Sequence, residues 1–202
     1  LARGIEGLLA WAAESRFPWQ SRAELGLLDA VAAARAALAA GALGGADPNG
    51  VLLARELLRL GELYRQQGRA LQAQECFQES CLLRQQLLGA GHPDTRASRA
   101  AFAAALRDAG QLHEARQQYE LLLEHCIAGA GADHPETLAA RSGLAATLAR
   151  LDAFGAALAL HDEVIELCER LYGPGHIVTL DALAGQARTL AHQGEYSRAR
   201  ML

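Results

Sequence analysis

The feature that most constrains this chain is a phrase that returns on a fixed beat. Gly89-Ala90-Gly91-His92-Pro93-Asp94-Thr95 comes back as Gly131-Ala132-Asp133-His134-Pro135-Glu136-Thr137, and again as Gly173-Pro174-Gly175-His176-Ile177-Val178-Thr179. His92, His134 and His176 stand 42 residues apart. A constant period of roughly 20–50 residues specifies an array of like units, each of which buries its apolar face against its neighbours rather than within itself.

Other residues fall into step with this beat. Leu60, Phe102 and Leu144 form a bulky column, with Gln186 the exception, and Gly61, Ala103, Ala145 and Ala187 form a small one beside it. Three residues on come Tyr64, Leu106, Leu148 and Leu190, then the breakers Gly68, Gly110, Asp152 and Gly194. Past the break a second small column holds Ala73, Ala115, Ala157 and Ala199, followed by Phe77, Tyr119 and His161. Ala and Leu dominate while aromatics are 5%, which favours helix over strand. A small residue flanked by bulky ones on one helix face admits a closely packed partner helix. Each unit therefore reads as a helix–turn–helix hairpin that must stack on its neighbours.

These columns resemble the tetratricopeptide repeat in the 42-residue form of kinesin light chains, whose refrain is similar to the one here. The resemblance implies an all-α, right-handed α-solenoid of antiparallel helix hairpins. It divides the chain into units at 51–92, 93–134 and 135–176, with a partial unit at 177–202. Residues 1–45 read as a degenerate or capping hairpin. Its first helix covers 1–16, and Ser21 opens a second with Glu24 as capping-box partner, running to about Ala40. Trp11 and Trp19 are read as packing anchors, and Gly41 to Gly50 as a loop.

The histidines of the refrain invite a metal or catalytic reading, but capping explains them better. His92 and His134 fall at helix N-caps, with Pro93 and Pro135 at the first helical position and Asp94 and Glu136 in the first turn. Equivalent positions in successive units lie on the order of 10 Å apart, too far to share one ion at bond lengths of about 2 Å. No metal, cofactor or catalytic residue is expected. HExxH, GxSxG and phosphate-loop motifs are absent, and all 19 basic residues are Arg.

A net charge of −4 and a pI near 6.0 leave no footprint for nucleic acid. No run of apolar residues is long enough to span a membrane. Cys76, Cys81, Cys126 and Cys168 lie on helical stretches, not in a disulfide framework, so a cytoplasmic protein is expected.

What remains is surface. By resemblance, the first helix of each hairpin lines a concave groove where ligands lie. Carried over by column, the ligand-binding set is Arg55, Glu62, Arg65, Gln66, Arg107, Asp108, Ser142, Arg150, Arg188 and His192. An arginine falls on this face in every unit (Arg65, Arg107, Arg150, Arg188), and a row of guanidinium groups suits carboxylates or peptide backbone. Kinesin light chains carry paired asparagines in this face. Here Leu58-Arg59, Ala100-Ala101, Ser142-Gly143 and Ala184-Gly185 stand in their place. The expected function is a non-catalytic protein- or peptide-binding module of a larger intracellular protein, taking an acidic or helical segment. The alternatives are a regulatory sensor segment of a signalling ATPase or transcription regulator, and an oligomerising spacer. Self-association through the truncated C-terminal end is a further expectation.

Overall fold

The computed structural model describes residues 22–40 and 48–202. Among the described residues there are nine helices and no strand: α1 (Arg22–Ala40), α2 (Pro48–Gln66), α3 (Ala70–Leu88), α4 (Pro93–Asp108), α5 (Leu112–Ala130), α6 (Pro135–Arg150), α7 (Phe154–Tyr172), α8 (Ile177–Gln193) and the short α9 (Tyr196–Ala199). The expected helix at 1–16, Trp11, Trp19 and the Ser21 cap lie outside the described residues.

Three-residue turns fold α2 onto α3, α4 onto α5 and α6 onto α7, so each pair is an antiparallel hairpin. The breaker column makes these turns. Gly68, Gly110, Asp152 and Gly194 all have positive φ, at 73°, 83°, 60° and 88°. Asp152 is the one non-glycine in that conformation among the described residues. The turn is closed in each copy by a hydrogen bond onto the bulky column. Arg69, Gln111, Ala153 and Glu195 donate their N–H to the carbonyls of Tyr64, Leu106, Leu148 and Leu190. That pattern satisfies the last carbonyls of the first helix.

Packing follows the columns. Ala73, Ala103, Ala115, Ala145 and Ala157 are fully buried, and Phe77, Tyr119 and His161 are buried beside them. Consecutive helices pack along the whole array. In addition α2 touches α4, α4 touches α6 and α6 touches α8, whereas α3, α5 and α7 do not touch one another. The first helices are thus the closer-set row, which places them on the inside of the solenoid's curve and their outward faces in its groove. Gln186, the odd member of the bulky column, is half-buried and hydrogen-bonds Asp162.

The refrain does what its residues predict. His92, His134 and His176 are N-caps whose Nδ1 accepts the N–H of Asp94, Glu136 and Val178 at 3.2, 3.3 and 3.3 Å. The terminal threonine adds a tie that the spacing does not announce. Thr137 and Thr179, both fully buried, donate their hydroxyls to the carbonyls of Gly131 and Gly173 at 2.6 and 2.8 Å. In these two copies the refrain is a closed loop fastened at both ends, whereas the buried Thr95 hydroxyl of the first has no hydrogen-bond partner among the described residues.

One expectation about the N-terminal part changes. The loop expected to reach Gly50 ends earlier, because α2 begins at Pro48, whose fixed φ suits a first helical position. Gly50 is buried in that helix, and a Cβ there would stand 2.6 Å from Leu87 Cδ1, so glycine marks a close approach rather than a loop. Glu24 is fully buried and receives Arg69 Nη1 at 2.6 Å, a bridge from α1 across to the first hairpin turn.

Candidate functional site

Apart from Arg55, the ten groove residues derived from the sequence are divided among several depressions. Five of them, Arg107, Ser142, Arg150, Arg188 and His192, line a single cavity of about 330 Å³ between α4, α6, α7 and α8. Its remaining walls include His161, Asp181, Gly185 and Thr189. Three guanidinium groups stand there against one carboxylate, Asp181.

Each arginine is held differently. Arg107 Nη1 donates to the Tyr119 hydroxyl at 3.4 Å, and its guanidinium lies 6.0 Å from the centre of that ring. Its Nε also stands 3.6 Å from Asp108. Arg150 Nη1 donates to the Arg107 backbone carbonyl. Arg188 is exposed and makes no hydrogen bond or ion pair among the described residues. The ladder is anchored at two rungs and open at the third.

Arg65 is set apart from them. Its Nε and Nη2 hold both oxygens of Glu62 at 2.9 and 2.7 Å, and Gln66 donates to the same carboxylate at 3.1 Å. The hydrogen bond from Arg65 keeps the Glu62 carboxyl below its ordinary pKa, and Glu62 in turn raises that of Arg65. Glu62 and Gln66 border a second, apolar depression of about 510 Å³ with Leu27, Leu58, Leu63 and Phe77. Arg65 and Asp108 edge a third of about 210 Å³ with Gly68 and Ala73. Arg55 joins none of these and bonds its neighbour Glu56 at 3.0 Å.

His161 is the site residue that column reasoning placed in the core alone. It stands in the aromatic column after Phe77 and Tyr119, and the change from phenyl ring to imidazole was the available signal. It is 1% exposed, yet it forms the cavity's floor. Nε2 lies 3.1 Å from Thr189 Oγ1, and Thr189 donates its hydroxyl to the Gly185 carbonyl at 3.2 Å. Nδ1 is buried and has no hydrogen-bond partner among the described residues. Burial holds the His161 pKa below its ordinary value; nearby Arg188 pushes the same way and Asp162 opposes.

Covalent chemistry has less to work with. The four thiols are buried and unpaired. Burial raises the pKa of each, that of Cys76 to about 11, which disfavours the reactive thiolate. Among the described residues no cluster of three His, Cys, Asp or Glu is placed to hold a metal ion, and no helix is long and apolar enough to cross a membrane. What the cavity offers is oriented positive charge, a buried imidazole and room for a side chain.

A sequence profile of the tetratricopeptide repeat matches residues 53–128 and 136–202. No curated protein matches the chain. Among solved structures it is similar to a Podosopora anserina protein of kinesin-light-chain type with nearly identical TPR-like repeats. The identity is 21% and the TM-score 0.67, over 89% of this chain and 86% of that one. A single-substitution variant of the same protein gives 21% identity and a TM-score of 0.69, over 89% and 85%. BtubC (BKLC) from P. vanneervenii is similar at 18% identity and a TM-score of 0.68, over 88% of this chain and 68% of that one. At these identities the likeness speaks for the fold.

Proposed function

The chain belongs to the tetratricopeptide repeat family, a family of protein-interaction scaffolds, and we propose that it is a non-catalytic module that grips an acidic peptide segment in its concave groove. The observation that carries this reading is the convergence of Arg107, Arg150 and Arg188 on one cavity in which Asp181 is the one carboxylate. Guanidinium forks bind carboxylates in pairs of hydrogen bonds, and the low polarity of the surrounding alanines strengthens each of them. The apolar depression along Leu58, Leu63 and Phe77 would seat aliphatic side chains of the same ligand at the other end of the groove. Buried, unpaired cysteines fit a reducing compartment, and we place the protein in the cytoplasm as part of a larger polypeptide.

The test is a titration with a fluorescein-labelled oligoglutamate peptide against an oligolysine of the same length. Wild-type protein should bind the acidic peptide alone, and Arg107→Glu with Arg150→Glu should weaken it at least tenfold. Equal binding of both peptides, or an unchanged affinity in the double variant, overturns the groove assignment. Self-association through the C-terminal end is the competing reading, favoured by exposed Leu180, Tyr196 and Met201 there. Sedimentation over a hundredfold range of concentration separates the two.

A further inference from the structure

One feature of the arginine cavity is left unused by peptide gripping: the bare nitrogen on its floor. Because Thr189 donates its hydroxyl to Gly185, its oxygen accepts from His161 Nε2–H, which fixes the neutral tautomer and leaves Nδ1 as a lone pair. Glycine at 185 makes room for that ring. A Cβ at Gly185 would lie 2.9 Å from His161 Cε1 and 3.4 Å from Nδ1, and Gly185 lines the cavity. A buried acceptor without a partner is costly, so the site gains when a hydrogen arrives.

A lone pair can pair only with a hydrogen, and the guanidinium groups around it attract anions. An anion that reaches Nδ1 must therefore arrive with a proton, carried by the imidazole or by the anion itself. The two placements of that proton are thermodynamically one complex.

We propose that this cavity is a proton-coupled carboxyl site, which takes a carboxylate of the ligand together with one proton shared with His161 Nδ1. The inference rests on the concave face being the binding face. A carboxylate group fits better than a phosphate group, because Asp181 on the wall opposes a second negative charge on the same group. The charged and titratable groups around His161 are Asp162 on its own helix, Asp181, Arg188 and His192 on α8, Arg150 on α6 and Arg107 on α4. Of these, His192 is the other imidazole, so it is the control for the assignment. Proton uptake makes binding tighten as pH falls, by up to about tenfold per pH unit while free His161 is neutral and the complex is protonated.

The experiment follows the ring nitrogens of ¹⁵N-histidine-labelled protein by NMR while sodium succinate is added at constant ionic strength. Saturable movement of the His161 signals is expected, with an affinity five- to tenfold higher at pH 6.5 than at pH 7.5. Arg188→Ala should weaken it at least fivefold. His192→Gln should keep the pH slope, and His161→Phe, which restores the ring type of Phe77 in the same column, should abolish it. A His161 signal that succinate leaves in place, one that sodium chloride moves equally, or an affinity independent of pH overturns the proposal. Tighter binding of inorganic phosphate than of succinate overturns its carboxyl assignment. Oligoglutamate binding that survives any of these results leaves the groove reading intact and removes this inference alone.

Discussion

Tyr119 lies where a side chain at position 143 would have to go: a Cβ on Gly143 would stand 2.6 Å from Tyr119 Cζ. His161 has the same relation to Gly185. In both cases a ring on the second helix of one hairpin reaches under the first helix of the next. It occupies the place where the resembling kinesin light chains carry asparagine. In these two units glycine makes room for the ring.

Gly143→Ala should destabilise the protein by about 1–3 kcal/mol, the cost of overpacking a filled position. Tyr119→Leu in the same chain should recover much of that loss, since it removes the ring the methyl meets. Gly155, on α7, has no neighbour within 4 Å of its Cβ position, so Gly155→Ala should stabilise by up to about 1 kcal/mol through helix propensity. Denaturant midpoints of the three variants check the contrast.

The refrain's fastenings carry separable energies. His134→Ala removes the acceptor that Glu136 N–H uses and should cost about 0.5–2 kcal/mol, while His134→Asn should retain most of it. Thr137→Val keeps the shape and removes the shorter of the two hydrogen bonds to the Gly131 carbonyl, at a cost of about 0.5–1.5 kcal/mol. Urea unfolding of the singles and the double checks both, and a double variant costing much less than the sum would show that one fastening depends on the other.

Glu136 has a second role beyond the helix dipole. Arg96, buried on α4, donates to it from Nε at 3.1 Å and Nη2 at 2.7 Å, while Arg96 Nη1 donates to the Gly91 carbonyl at 2.6 Å. One arginine therefore ties two successive refrains together. Glu136→Gln leaves a buried guanidinium short of its countercharge and should destabilise by about 1.5–3 kcal/mol. Asp94→Asn, at the same column one unit earlier, should cost less than half as much, because among the described residues no arginine side chain hydrogen-bonds that carboxylate.

How far the sequence foretold all this follows from how information repeats. The hairpin turns, caps and alanine columns were legible because each occurs three or four times in register. Asp152 was readable as a turn former from its alignment with Gly68, Gly110 and Gly194. The pairing of Arg65 with Glu62 was readable from their i, i+3 spacing. The cavity was half legible: five wall residues followed from the columns, but its floor did not. His161, Gly185 and Thr189 meet across two units, and no other unit has that combination, so no column displays it. Single occurrences between units are what a period cannot predict.

The three cavity arginines and Arg65 should behave differently toward an acidic ligand. Arg65 already holds a carboxylate with two hydrogen bonds, and its exposed pair is worth little to stability. Arg188 has no such partner. Arg188→Glu should weaken oligoglutamate binding at least tenfold and Arg65→Glu by less than threefold, both measured by fluorescence anisotropy. The effect of Arg188→Glu should shrink in high salt, as screening removes the attraction it reverses. Equal effects of the two reversals would mean that the ligand spans the whole groove.

His161 should also leave a mark on stability in the absence of any ligand. Burial holds its folded pKa below the ordinary 6.5, whereas in the unfolded chain it titrates near that value. As pH falls through about 6.5 the unfolded chain takes up a proton that the folded protein refuses. Folding stability therefore drops with falling pH, by up to about 1.4 kcal/mol per unit, until the folded imidazole is protonated as well. The contribution is complete above the unfolded pKa and is lost below it. His161→Phe removes this titration and leaves the other carboxylates and histidines in place. The difference in unfolding free energy between wild type and variant should then be flat above pH 7.5 and fall between pH 6.5 and 5. A difference that stays flat to pH 5 would mean that the imidazole takes up its proton as easily inside the solenoid as in water, and that Nδ1 is not the isolated acceptor its surroundings make it.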